Sequence, residues 1–320
     1  MSYDRLKGLT SFSEPTITET LERNMISFFD YGLLNIGAFV NVRKPTQNLK
    51  GGNNHILRKV NDPNYTDGKV WQGFRKNWVW ENNLSWSTQP INISGIYVNN
   101  IFQPSTGIAF AHKIDYPNGR VIFNSPVPAA SSISCEYSYK MVNVCNADDN
   151  WMRDVQFDSF NSSSDIDFPA SSGNFTQIPQ NRIQFPAVGI QIPDRRNWRG
   201  LELGGGSWMI QDVVVYILAE NDSYRDKLID VFSLQKGKTI YLYNMNNMAK
   251  DGKLPLNYDG SINTSGIRNY TTMVDDVSNG GYRHKTAYFA NTSVQSTIDY
   301  NTKVYGGIVK LTLEINMPEI

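Results

Sequence analysis

Three histidines, His55, His112 and His284, are the first residues to weigh, because imidazole serves acid–base catalysis and metal binding near neutral pH. They are widely separated, and none falls in the HxxxH or HExxH spacing that sets two ring nitrogens on one helix face. A zinc site built from one of them and a lone cysteine is not expected. The chain has no G-x-S-x-G, no P-loop and no Rossmann fingerprint. Gly204, Gly205 and Gly206 lack the Lys-Ser/Thr of a phosphate loop, and they predict a positive-φ turn or a close approach to a neighbouring backbone. The acidic groups Asp148, Asp149 and Asp154, and Asp165 with Asp167, lack the ligand spacing of a calcium loop. Asp259-Gly260-Ser261-Ile262-Asn263 resembles one only faintly, so solvated loop acids are the expectation. Base, nucleophile and metal-ligand spacings do not converge anywhere, so no catalytic residue, no cofactor and no metal is expected and the chain reads as a non-enzyme.

Tryptophan is the most concentrated chemical resource. Trp71, Trp78, Trp80 and Trp86 fall within sixteen residues, beside Phe74. On one exposed face these rings could stack on sugars and form a carbohydrate-binding platform. Trp78 and Trp80 would share one face of a strand, and the same rings equally suit core filling or a subunit interface. Packing or interface is the reading taken for Trp71, Trp78 and Trp80.

The elements that must position these residues are mostly strands. Thirty basic residues balance thirty acidic ones across 320 residues, which removes any net field toward DNA or an anionic membrane. Polarity comes instead from uncharged side chains, 34 of them Asn. No apolar run reaches the roughly 20 residues of a membrane span, and MSYDRLKGLTSFSEPT lacks a signal-peptide core. The expectation is therefore a soluble protein made in a cytoplasm, in which Cys135 and Cys145 stay unpaired thiols.

Three regions follow along the chain. In residues 1–50, Thr16 and Glu19 form a capping box, and Ile17, Leu21, Met25, Phe28, Leu33 and Ile36 predict a helix ending near Gly32 or Gly37. The Asn/Gly/Pro-rich stretch after it reads as an extended arm, and the helix with its arm would pack on a neighbouring subunit or fold back on its own body. Residues 51–150 predict a small β-sandwich-like module from VWQGFRKNWVWE, NISGIYVNN, GRVIFNS and SISCEYSYKMVNV. The last alternates Ile133, Cys135, Tyr137, Tyr139 and Met141 against Ser134, Glu136, Ser138 and Lys140. Residues 151–320 predict an α+β domain: IQDVVVYILAE as a strand buried on both faces, Asn221 capping a helix that presents Tyr224, Leu228, Val231 and Phe232, and a final strand with Val309, Leu311, Leu313, Ile315 and Met317 on its apolar face. The fold class is thus mainly β with an α+β C-terminal domain, in which one helix packs on the sheet.

Several segments resemble virion structural proteins of tailed bacteriophages. ETLERNMISFFDYGLLNIGAFVNV resembles their N-terminal helix, and GIYVNN with DYPNGRVIFNSPVPAASSISCEYSYKMVNV resembles the strand pairs of their small β-modules. FPAVGIQI, LELGGGSW and DVVVYILAENDSYRDKLIDVFSLQKGKTIYLYN resemble the core of neck and tail-terminator subunits, although the polar stretch from Met245 to Gly281 exceeds what that compact core needs. The resemblance implies a homo-oligomeric ring, a hexamer or dodecamer, at the head–tail junction of the virion. Its partners would be portal, neck and tail-tube or sheath proteins, with DNA passing through unread. Phe28, Phe29, Leu33 and Gly204–Gly206 then join the tryptophans as packing or interface residues. A baseplate or tail-fibre attachment protein and a carbohydrate-binding receptor module are the competing readings.

Overall fold

The computed structural model describes residues 15–44, 55–107, 109–147, 184–201, 206–301 and 304–317. In chain order the elements are α1 (Ile17–Asn35), β1 (Phe39–Val42), β2 (Arg58–Val60), β3 (Val70–Gln72), β4 (Gly95–Val98), β5 (Ile101–Pro104), β6 (His112–Asp115) and β7 (Arg120–Phe123). There follow β8 (Ile133–Ser134), β9 (Tyr137–Lys140), β10 (Asn143–Asn146), β11 (Ala187–Gln191), β12 (Arg196–Leu201) and β13 (Gly206–Ala219). The chain then forms α2 (Asp222–Ser233), β14 (Thr239–Tyr243), the short helices α3 (Met245–Lys250) and α4 (Tyr270–Met273), and the hairpin β15 (Arg283–Asn301) and β16 (Val304–Met317). The fold is mainly β, with helices packed on its largest sheet.

That sheet has seven strands in the order β10-β11-β13-β16-β15-β14, with β12 also paired to β13. Its helix-side face carries Val213, Val215 and Ile217 of β13 and Val309, Leu311, Leu313 and Ile315 of β16, all buried. The predicted alternation of β16 is present from Val309 to Ile315, and the Met317 side chain lies outside the described residues. The β13 segment is not buried on both faces as expected: Val214 and Tyr216 are half-exposed, because the helices lie on one side only. Among the described residues, the second face is covered at one end by a small cluster of Ala147, Phe185, Leu218 and Val304.

Two helices share the covered face, where one was expected. α2 is capped by the Asn221 side chain, which accepts from the Tyr224 amide at 2.8 Å, and it buries Leu228, Ile229 and Phe232. Gly307 of β16 lets it approach, since a Cβ there would meet Ile229 Cδ1 at 2.8 Å. Beside it lies α1, with Leu21, Met25, Phe29 and Leu33 in the same core. The Phe29 and Phe232 rings meet at 4.5 Å between centroids. The N-terminal helix is therefore folded onto its own sheet rather than onto a neighbour.

Local sequence explains the ends of α1. Thr16 and Glu19 complete the capping box. At the other end the amides of Gly37 and Ala38 donate to Leu34 and Leu33, with Gly37 in the left-handed region at φ 84°. Ile36, counted among the apolar positions, is exposed. Asn24 is fully buried because its side chain exchanges two hydrogen bonds with the Tyr243 backbone, at 3.1 and 2.9 Å, and so completes the end of β14.

The smaller strands form a sandwich-like module. The sheet β2-β3-β7-β6 and the sheet β5-β4-β8 enclose one core of Trp71, Val121, Phe123, Ile96, Ile133 and Tyr137. The stretch expected as an extended arm is in part built into this module: His55 and Leu57 are buried and β2 pairs with β3, while residues 45–54 lie outside the described residues. VWQGFRKNWVWE is not one strand; it leaves the sheet after Gln72 and turns through Asn77 at φ 54°. SISCEYSYKMVNV is divided among three sheets, β8 pairing with β4, β9 with β1, and β10 running parallel to β11.

Trp78→Ala is expected to cost about 3–5 kcal/mol, the usual penalty for emptying a buried aromatic site. Deleting residues 1–37 removes a wall of the main core and is expected to unfold the seven-stranded sheet. Circular dichroism melts check both, and a truncated chain with the parent's cooperative transition would contradict this packing.

Candidate functional site

The structure places the expected interface and packing residues mostly inside. Trp78 is fully buried, stacked on Tyr137 at 4.2 Å, and its indole N–H donates to the Arg75 carbonyl at 2.8 Å. Trp71 is buried in the same core and donates to the Gly68 carbonyl. Trp80 is half-buried between the module core and a third core of Tyr31, Leu34, Tyr243, Met248 and Tyr270. Of the four clustered tryptophans only Trp86 is exposed, so they make no common sugar-stacking face. Phe29 and Leu33 lie in the main core, and Phe28 packs edge-on against Tyr270. Gly206 opens β13 opposite Leu201, while Gly204 and Gly205 lie outside the described residues.

The histidines sit on separate elements, and burial lowers the pKa of each. Asp259 is paired with Lys113 at 2.8 Å, and that hydrogen bond heads the causes that hold its carboxyl down at about 2. Among the described residues, no three His, Cys, Asp or Glu side chains group as a metal site requires. The acids from Asp148 to Asp167 lie outside the described residues. Cys135 is fully buried, and burial raises its thiol pKa far from the reactive range.

The chemistry that sequence reasoning missed centres on Lys140. Its ammonium is only 3% exposed and donates at 2.5 Å both to Asp30 of α1 and to Glu81 beside Trp80. The Trp80 ring centroid lies 5.0 Å from the same nitrogen. Glu81 also accepts from the Trp80 amide at 3.1 Å. Burial pushes the Glu81 carboxyl up to about 7; the Lys140 charge opposes the shift and the Asp30 charge adds to it. For Lys140, burial lowers the pKa, but the two carboxylates outweigh it and the net shift is upward. The cluster joins helix α1, the tryptophan segment and strand β9. Lys140 stood on the polar side of an alternation, and its setting between Tyr139 and Met141 was the available signal.

A second feature lies at the sheet's margin. Gln211 is fully buried, and its side-chain amide donates to the Pro193 carbonyl at 2.7 Å while its oxygen accepts from Arg196. It fills the break where β11 stops and β12 begins along β13. Arg196 reaches back to Thr18 of α1. Beyond it, Asn197, Trp198, Arg199 and Gly200 are all exposed, Trp198 by 52%. Among the described residues β12 has β13 as its only partner, and no other described strand pairs with its outer edge.

No protein-family model matches this chain, and no curated protein matches it.

The raised Glu81 pKa makes a signed prediction. A carboxyl whose folded pKa lies above its ordinary value stabilises the fold at low pH, and that contribution is lost as pH rises through the folded pKa. The histidines, whose pKa values are lowered, act in the opposite sense below about pH 6.5, so the useful quantity is the difference between parent and variant. The stability of the parent relative to Glu81→Gln is expected to fall from about pH 5 to about pH 8. Denaturant titrations across that range measure it, and a difference that stays flat with pH would count against the assignment.

Proposed function

We propose that the chain is a structural subunit of a tailed-phage virion, a ring-forming neck or tail-terminator protein at the head–tail junction. The observation that carries this reading is the outer edge of β12, which no other described strand pairs, exposed on both faces and bearing the half-exposed Trp198. An uncovered strand edge pairs readily with another chain, and an exposed tryptophan is a common anchor of interfaces. The remainder of the open face is mixed in character, with Ile210, Tyr216 and Ile308 beside the Asp212–Lys310 ion pair at 2.8 Å. That mixture suits a surface which docks reversibly during assembly. Copies would associate head to tail and close a ring, with portal and tail-tube proteins above and below. The balanced charge fits a lumen through which DNA passes without readout. A carbohydrate-binding module is less well supported, because Trp71 and Trp78 are core residues.

Analytical ultracentrifugation with negative-stain electron microscopy tests the proposal on the full chain. The parent should form closed rings, alone or with phage neck or tail-tube proteins. Trp198→Asp should abolish them while changing stability by no more than about 0.5 kcal/mol. A parent that stays monomeric at high concentration in both settings overturns the reading.

A further inference from the structure

Beside the Lys140 cluster, the residues of α1 face α3 and the segment leading to α4 across a cavity of about 250 Å³. Its walls are largely apolar, including Ile26, Met245, Met248 and Leu254. Two guanidinium groups also line it, Arg23 of α1 and Arg268. Neither has a carboxylate partner among the described residues. Arg23 Nη1 donates to the Met245 thioether at 3.2 Å, and Arg268 Nε donates to the Trp80 carbonyl. Each guanidinium carries five N–H donors, so most of these have no acceptor among the described residues. The two acids on the wall are already engaged, because Asp30 and Glu81 both hold Lys140. The cationic groups lining or adjoining the cavity are therefore Arg23, Arg268 and Lys140, against the two carboxylates.

We propose that this cavity is a binding site for a small organic anion, a carboxylate with a compact apolar body, held by Arg23 and Arg268. Guanidinium forks match carboxylate geometry and keep their charge at any working pH. The methionine-lined wall adapts to an apolar body of varied shape. A volume below the roughly 300–1,000 Å³ of drug-sized sites limits the ligand to a single ring or a short chain. The site goes beyond the virion reading and does not depend on it.

The test uses the full-length protein with benzoate and hexanoate as probes, followed by tryptophan fluorescence and ligand-observed NMR. Benzamide and benzylamine serve as neutral and cationic controls. Saturable binding of benzoate or hexanoate tighter than about 1 mM is expected, with benzamide at least tenfold weaker and benzylamine not bound. Arg23 is exposed and can be changed with little effect on folding, so Arg23→Gln should weaken the carboxylate at least tenfold while leaving the melting temperature in place. Arg268→Gln should weaken it further. Failure of both carboxylates to bind, equal binding of benzylamine, or benzoate affinity unchanged in Arg23→Gln would each overturn the site.

Discussion

Burying the Lys140 ammonium dictates how three distant segments must meet. A primary ammonium that is only 3% exposed is tolerable only where opposite charge and hydrogen-bond acceptors replace its water. Its acceptors come from far away in sequence: Asp30 is 110 residues distant and Glu81 is 59. Meeting that requirement fixes the helix, the tryptophan segment and strand β9 relative to one another. Burial pushes the Glu81 carboxyl toward its neutral form and the nearby Asp30 charge adds to this, while the Lys140 ammonium opposes it. The pair Arg120–Asp62, with Gln72 completing the arginine's bonds, plays a local version of the same role inside the β-module.

With α1 held in place, the packing falls into order. One side of the helix, Leu21, Met25, Phe29 and Leu33, closes the main core over the seven-stranded sheet. Another side, Tyr31 and Leu34, closes the third core against Val79, Met248 and Tyr270. The polar stretch from Met245 to Gly281 is in large part the far wall of that third core and of the cavity beside it. Both helices lie on one face of the sheet. The opposite face and the β12 edge are left without cover from any described element, and the assembly proposal rests there.

Much of the local structure was legible because its causes are local. The capping box at Thr16 and Glu19, the cap at Asn221 and the alternation of β16 depend on residues a few positions apart, and each stands where the sequence put it. The segment from Ile133 to Asn146 was legible only in part. Its period correctly announced strand, but period does not name the partner, and the chain changes sheet twice within that segment. The burial of Lys140 and Ser138 follows from having neighbours on both sides, which a single strand's pattern does not encode. The cavity and the β12 edge depend wholly on tertiary placement. Arg23, Arg268 and Trp198 have nothing in their immediate sequence to distinguish them.

The central claim is that the Lys140 cluster binds the helix, the β-module and the large sheet into one cooperative unit. Differential scanning calorimetry of the parent and of Lys140→Met tests it most directly. The parent should melt in one transition with equal calorimetric and van't Hoff enthalpies. Lys140→Met leaves the buried Glu81 and the partly buried Asp30 without their cation, and it should destabilise that whole transition by about 3–5 kcal/mol. Two resolved transitions in the parent, or a Lys140→Met variant that melts with it, would contradict the account.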